Sequence, residues 1–220
     1  MRIAVLAAAA LLLCACTPQP AAETKAPAAA APANADPAPP KAVPQAAVDC
    51  SKTTDPFDAF TCTDPALVAL EKAVAAEYAK AQAAPVADVA MLATTQDDWR
   101  QSRNACNTAA DRRLCSEDAY KSRLVQLKID SGEVVVPSPV DYACDDNSKP
   151  FTAVFYNELD PRAAVLTWGD DQVIAFPVMS GSGARYGTQG VDFWEHQGEV
   201  AVDFRGHKMT CKPTAARADD

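Results

Sequence analysis

Histidine, glycine and closely spaced cysteine pairs are all in short supply in this chain. Its 220 residues include two histidines, His196 and His207, and eight glycines, and no Cys-x-x-Cys occurs. A zinc site needs thiolate and imidazole ligands at short spacing, so this pattern excludes the common structural zinc motifs, and no metal is expected. Glycine-dependent motifs are missing as well. Ser180 and Ser182 both lack the flanking glycines of a Gly-x-Ser-x-Gly elbow. Gly181-x-Gly183 is not a dinucleotide fingerprint either, because Tyr186 stands where a third glycine belongs. Runs of basic residues are lacking too. The net charge is −9, with fourteen acids against ten bases over 48–140 and thirteen against seven over 141–220. That balance argues against nucleic acid and anionic membrane and favours a basic partner through steering. The longest apolar run, Ile3 to Leu13, is too short to cross a bilayer stably, which takes about 20 residues.

That run follows Arg2 and ends Leu13-Cys14-Ala15-Cys16, the form of a secretory signal closing on a lipobox. Cys16, preceded by a small residue, fits as the lipidated first residue (palmitate included) of a mature lipoprotein. Cys14 fits poorly, because bulky Leu13 would precede the cut. Thr17 after the cysteine resembles outer-membrane sorting, so the expected location is the outer membrane, facing the periplasm and held there only by the N-terminal lipid. From Thr17 to Ala47, 21 of 31 residues are alanine or proline. This composition cannot bury a core and reads as a tether, with a reach of roughly 30 Å as a coil and about 95 Å as polyproline.

The expected organisation is α+β: a signal peptide over 1–15, the tether over 16–47, a small disulfide-bonded helical domain over 48–132 and a connector over 133–140. A small antiparallel β-barrel of about eight strands follows over 141–213, then a tail over 214–220. Asp64-Pro65 starts a helix by side-chain capping and a first-turn proline, and Leu67, Leu70, Val74 and Tyr78 recur at helical spacing before Pro85. A second helix carries Val89 to Cys106, and a third, after Ser116, ends near Ser131-Gly132. Beyond Gly132 the period changes. The runs Tyr142–Cys144, Phe151–Tyr156, Ala163–Trp168, Gln172–Phe176, Ala184–Gly187, Asp192–His196, Glu199–Phe204 and His207–Cys211 read as strands separated by turn residues. The expected core includes Phe151, Val154, Leu166, Ile174, Phe176, Tyr186, Trp194 and Val202.

Six cysteines remain beyond the lipobox: Cys50, Cys62, Cys106, Cys115, Cys144 and Cys211. In an exported chain an even number reads as disulfides, and six allow fifteen connectivities. The domain division favours Cys144–Cys211, a bridge worth about 4 kcal/mol by chain entropy. The other four pair among themselves, most simply Cys50–Cys62 and Cys106–Cys115, with their connectivity open.

Two stretches carry a family resemblance. Ser182-Gly183-Ala184-Arg185-Tyr186 resembles the Ser-Gly-x-x-Tyr motif of the membrane-bound and periplasmic inhibitors of c-type lysozyme. Phe193-Trp194 through Gly198-Glu199-Val200-Ala201 resembles that family's second motif, Phe-Trp-x-Lys-Gly-x-x-Ala. The resemblance covers Tyr142 to Cys211 within a two-cysteine frame, and it implies the same barrel. Upstream, Asp49-Cys50, Cys62-Thr63-Asp64, Leu67, Tyr78, Gln96, Trp99-Arg100, Arg103, Cys106, Cys115, Tyr120, Arg123 and Leu127 resemble the LprI-type N-terminal domain. The polar members Gln96, Arg100, Arg103 and Arg123 read as helix-surface residues and a structural Arg–carboxylate pair.

The resemblance implies a protein partner, c-type lysozyme, no cofactor and no enzymatic activity. Ser182 is the principal inhibitory residue. Gly181 and Gly183 shape its loop, and Tyr186 anchors it from below. The second motif departs from the family: Trp194-Glu195-His196-Gln197-Gly198 carries one extra residue and no lysine. His196 or Gln197 therefore stands in the lysine's place, and His207 beside Gly206 reads as a plain turn or edge residue. An envelope lipoprotein with a structural or peptidoglycan-associated role is the alternative that the lost lysine favours. A Ser-His-Asp arrangement can be assembled on paper from Ser182 with either histidine, but thirteen acids from Asp141 onward make that match uninformative.

Overall fold

The computed structural model describes residues 47–85, 88–132 and 134–214. The signal peptide, Cys14, Cys16, nearly all of the tether and the tail beyond residue 214 lie outside the described residues. Among those described, no helix is long and apolar enough to cross a membrane.

The helical half is built from caps and prolines. α1 (Pro56–Thr61) and α2 (Pro65–Ala83) both start on proline behind an aspartate, Asp55 or Asp64, whose side chain accepts from backbone N–H groups of the first turn. α3 (Val89–Arg103) is capped by Asp88, runs into a 3-10 turn (Asn104–Thr108), and is followed by α4 (Arg112–Asp130), capped by Asp111. Three helices were expected. The structure adds α1 and starts α4 at Arg112, because Asp111 and not Ser116 supplies the cap; Ser116 is buried and donates back to Arg112 O.

The helical core gathers Phe57, Leu67, Val74, Tyr78, Leu92, Tyr120 and Leu127. Arg103 lies within it, not on the surface. Its guanidinium pairs with Asp58 at 2.6 Å and Glu71 at 3.5 Å and lies over the rings of Phe57 and Trp99. Arg123 is likewise buried and donates to Gln96 Oε1 at 2.6 Å. Arg103 thus forms the expected structural Arg–carboxylate pair, whereas Arg123 and Gln96, expected on the helix surface, are buried together. Disulfides Cys50–Cys62 and Cys106–Cys115 staple this half.

Eight antiparallel strands close a barrel in chain order: β1 (Val140–Cys144), β2 (Phe151–Tyr156), β3 (Ala163–Trp168), β4 (Asp171–Pro177), β5 (Ala184–Thr188), β6 (Val191–His196), β7 (Glu199–Phe204) and β8 (His207–Pro213). Closure removes the sheet edges. β1 pairs with β8, Cys144 opposite Cys211, and the disulfide joins these two residues. Inside lie Phe151, Leu166, Tyr186, Phe193, Val200, Val202, Phe204 and Met209.

The expected core needs correction at four residues. Val154 is only half-buried, while its neighbour Ala153 faces in. Trp194 is exposed, since strand side chains alternate and Val191 and Phe193 take the interior. Phe176 and Ile174 serve a different cluster, in which Val125 and Ile129 of α4 meet Ala163, Leu159 and these two residues. Thr188 Oγ1 donates to Asp118 Oδ2 at 3.3 Å, and Lys128 reaches the carbonyl of Asp160. α4 is therefore fastened along the outside of the barrel.

Candidate functional site

Because every connection is antiparallel, the links β2–β3, β4–β5 and β6–β7 gather at one end of the barrel. The β4–β5 link is the serine loop, Val178 to Gly183. The β6–β7 link is Gln197-Gly198, with φ of 53° and 83°, as a two-residue primed hairpin turn requires. Strands β5 and β6 pair with Ala184 opposite Glu195, which brings the two links side by side.

Hydrogen bonds hold the serine loop in one shape. Ser180 Oγ donates to Ser182 O at 2.6 Å, and Trp194 Nε1 donates to the same oxygen at 3.0 Å. Ser182 Oγ lies 3.0 Å from His196 Nδ1, and the His196 ring stacks on Trp194, with centroids 5.2 Å apart and planes 22° from parallel. Ser182 is exposed, so its hydroxyl is oriented by the imidazole and still open to a partner. Gly183 has φ +70°, and a Cβ there would collide with the carbonyl oxygen of Glu195. Both facts demand glycine. Gly181 differs, since a Cβ there would meet nothing within 4 Å; its smallness matters only to something approaching from outside.

Tyr186 lies beneath the loop in the barrel core. It packs on Phe155 and Phe193, and its hydroxyl donates to Asn157 Oδ1 at 3.3 Å. Burial raises its pKa, so the phenol stays neutral. Beside it Arg185 forms a two-pronged pair with Asp192, at 2.7 and 3.0 Å.

Of the six candidate residues, the structure thus brings Ser182, Gly183 and His196 into direct contact, puts Gly181 at the open tip of their loop and sets Tyr186 underneath. Gln197 is exposed at the neighbouring turn. Sequence reasoning missed Ser180 and Trp194 as supports of the loop; strict alternation from Phe193 would have turned Trp194 outward. His207 is at the far end of β7–β8. It is more than a plain edge residue, because it bonds Asp146 and stacks on Trp168.

A serine hydroxyl at 3.0 Å from an imidazole nitrogen has the spacing of a nucleophile and its base. Catalysis also needs a group orienting the base and donors for an oxyanion. Among the described residues His196 is hydrogen-bonded by Ser182 and stacked on Trp194, with no carboxylate on its ring. The arrangement presents an exposed hydroxyl beside an imidazole. Among the described residues there is also no cluster of three or more His, Cys, Asp or Glu able to hold a metal.

Residues 142–210 match the family described as membrane-bound lysozyme-inhibitor of c-type lysozyme. That match takes in the barrel from β1 to β8 together with both links of the site. Over a longer span, 203 residues of the chain are 38% identical to lipoprotein LprI of Mycobacterium bovis and of Mycobacterium tuberculosis, covering 92% of this chain and 94% of those proteins. The chain belongs to the LprI lipoprotein family.

Proposed function

We propose that the chain is a lipid-anchored envelope protein, held at the outer membrane through Cys16 and facing the periplasm, that inhibits c-type lysozyme by placing the Ser182 loop in the catalytic cleft. The observation that carries this reading is the Ser182–His196 contact at 3.0 Å on an exposed, glycine-shaped loop, within a barrel that matches an inhibitor family.

Glycoside hydrolysis of this kind uses two carboxyl groups, one kept protonated and one ionised. A hydroxyl both donates and accepts, so Ser182 can serve either. Its partner sets which. When His196 Nδ1 carries a proton it donates to Ser182 Oγ, and the serine O–H is released toward an ionised carboxylate. His196 thereby takes the place of the second-motif lysine, while Gln197 completes the turn. Gly181 leaves the tip narrow, and Tyr186 supports the loop from the core. The inhibitor acts by occupancy and has no catalytic role, no cofactor and no resident metal.

The test is lysozyme turnover on cell-wall substrate in the presence of the full chain. Inhibition by the wild type, with a loss of tenfold or more in Ser182→Ala at unchanged thermal stability, is expected. Equal inhibition by Ser182→Ala would remove the serine loop from the mechanism. A folded wild type without inhibition would favour a structural envelope role, which the missing lysine already suggests as the second reading.

A further inference from the structure

Seven large apolar side chains are exposed among the described residues, and three of them lie at the serine loop, Val178 and Met179 within it and Trp194 beside it. Met179 is 96% exposed. They are not scattered. Val178 N–H donates to Arg185 O, and Arg185 faces Trp194 across the β5–β6 ladder. Val178, just past the end of β4, thus forms one row with Arg185 and Trp194, and Met179 follows it in the chain. The row is rigid: Trp194 is tied to Ser182 O, Arg185 to Asp192, and Val178 lies over Gly187. An anchored tryptophan beside a freely exposed methionine has the composition of interface cores.

We infer that Val178, Met179 and Trp194 are an apolar shoulder that docks against the apolar wall of the lysozyme cleft beside its protonated carboxyl. This rests on the proposed serine-loop function and extends it. The choice of occupant follows from chemistry. A carboxyl group held protonated near neutrality needs an apolar setting. A hydroxyl that reaches it must bring its own neighbours against that setting. Here those neighbours include three exposed apolar side chains, Val178 and Met179 on the same loop as Ser182 and Trp194 bonded to its carbonyl oxygen. Met179, unbranched and freely exposed, is the side chain able to fit an irregular recess.

The test compares binding of a c-type lysozyme to the full chain and to Met179→Gln, Met179→Leu and Ser182→Ala. Met179→Gln keeps length and removes the apolar end. About tenfold weaker binding is expected, mostly in the dissociation rate, the scale of burying one such side chain. Met179→Leu is expected to bind as the wild type does. Hydrogen peroxide gives a second route. The thioether sulfur takes one oxygen, water leaves, and a polar sulfoxide results. After the peroxide is removed, the wild type should bind like Met179→Gln, and Met179→Leu, which still carries the exposed Met91, should be unaffected. Undiminished binding by Met179→Gln with weakened binding by Ser182→Ala overturns the shoulder and leaves the serine loop standing. Undiminished binding by both overturns both.

Discussion

Gly183 and Gly181 are two residues apart in the same loop, yet replacing each with alanine should have opposite effects on the free protein. Gly183 has φ +70°, and its new Cβ would run into Glu195 O. The left-handed conformation alone costs a non-glycine residue about 1–2 kcal/mol. The collision involves backbone that the β5–β6 ladder holds in place, so the loop gives way and moves off Glu195. Ser182 then leaves His196, and its carbonyl leaves Trp194. The expected result is a destabilisation of about 1–2 kcal/mol, a melting temperature lower by several degrees for a barrel of this size, and loss of lysozyme inhibition. At Gly181 a Cβ meets nothing within 4 Å and φ is not positive. Alanine there should leave stability unchanged or raise it by up to about 1 kcal/mol through the unfolded chain, with any loss of inhibition arising in the complex alone. Calorimetry beside an inhibition assay reads both. A Gly183→Ala variant with unaltered melting and inhibition, or equal melting losses at the two positions, would refute the reasoning.

Three further outcomes follow from the same geometry. Arg103→Ala leaves Asp58 and the buried Glu71 without their partner, so denaturant unfolding followed by helical circular dichroism should show a loss of about 3–5 kcal/mol; a loss under about 1 kcal/mol would contradict the pairing. His196 faces Ser182, has Glu195 beside it on its own strand, and lies opposite Glu199, which pairs with Lys212. Replacing His196 with alanine removes the group that orients Ser182 Oγ, so lysozyme inhibition should weaken at an unchanged melting temperature, and undiminished inhibition would contradict this. Burial holds the Asp118 carboxyl above its ordinary range. The folded state therefore keeps that proton to higher pH than the unfolded chain, and stability falls as pH rises from the ordinary carboxylate range through the folded pKa. Asp118→Asn, which can still accept from Thr188, should be at least as stable as wild type at pH 7, with the difference vanishing in acid. A less stable variant at pH 7 would count against the burial argument.

Strands such as β6 and β7 were legible because one face is buried and the other is not, while β3, buried on both faces over Ala163–Leu166, was legible as a short apolar run between turn residues. Trp194 was misassigned because its bulk outweighed its parity: Phe193 fills the interior, and Trp194 turns out to brace the loop. α1 escaped notice because six residues carry too little periodicity, although Asp55-Pro56 repeats the starting signal of Asp64-Pro65. The burial of Arg103 depends on Asp58, 45 residues away, a pairing that no local pattern encodes. The site was half legible. Its two motifs could be read, but the Ser182–His196 contact follows from the β5–β6 register and from the extra residue being absorbed into the Gln197-Gly198 turn. That turn is what leaves His196 at the end of its strand, facing the serine.

The claim that the serine loop occupies the catalytic cleft is tested most directly by competition. A soluble β-1,4-linked N-acetylglucosamine oligomer fills the lysozyme cleft, and its effect on the affinity of lysozyme for the full chain can be titrated. Mutually exclusive binding is expected, with apparent affinity for the chain falling in proportion to oligomer occupancy. A ternary complex, with affinity unchanged at saturating oligomer, would contradict the account.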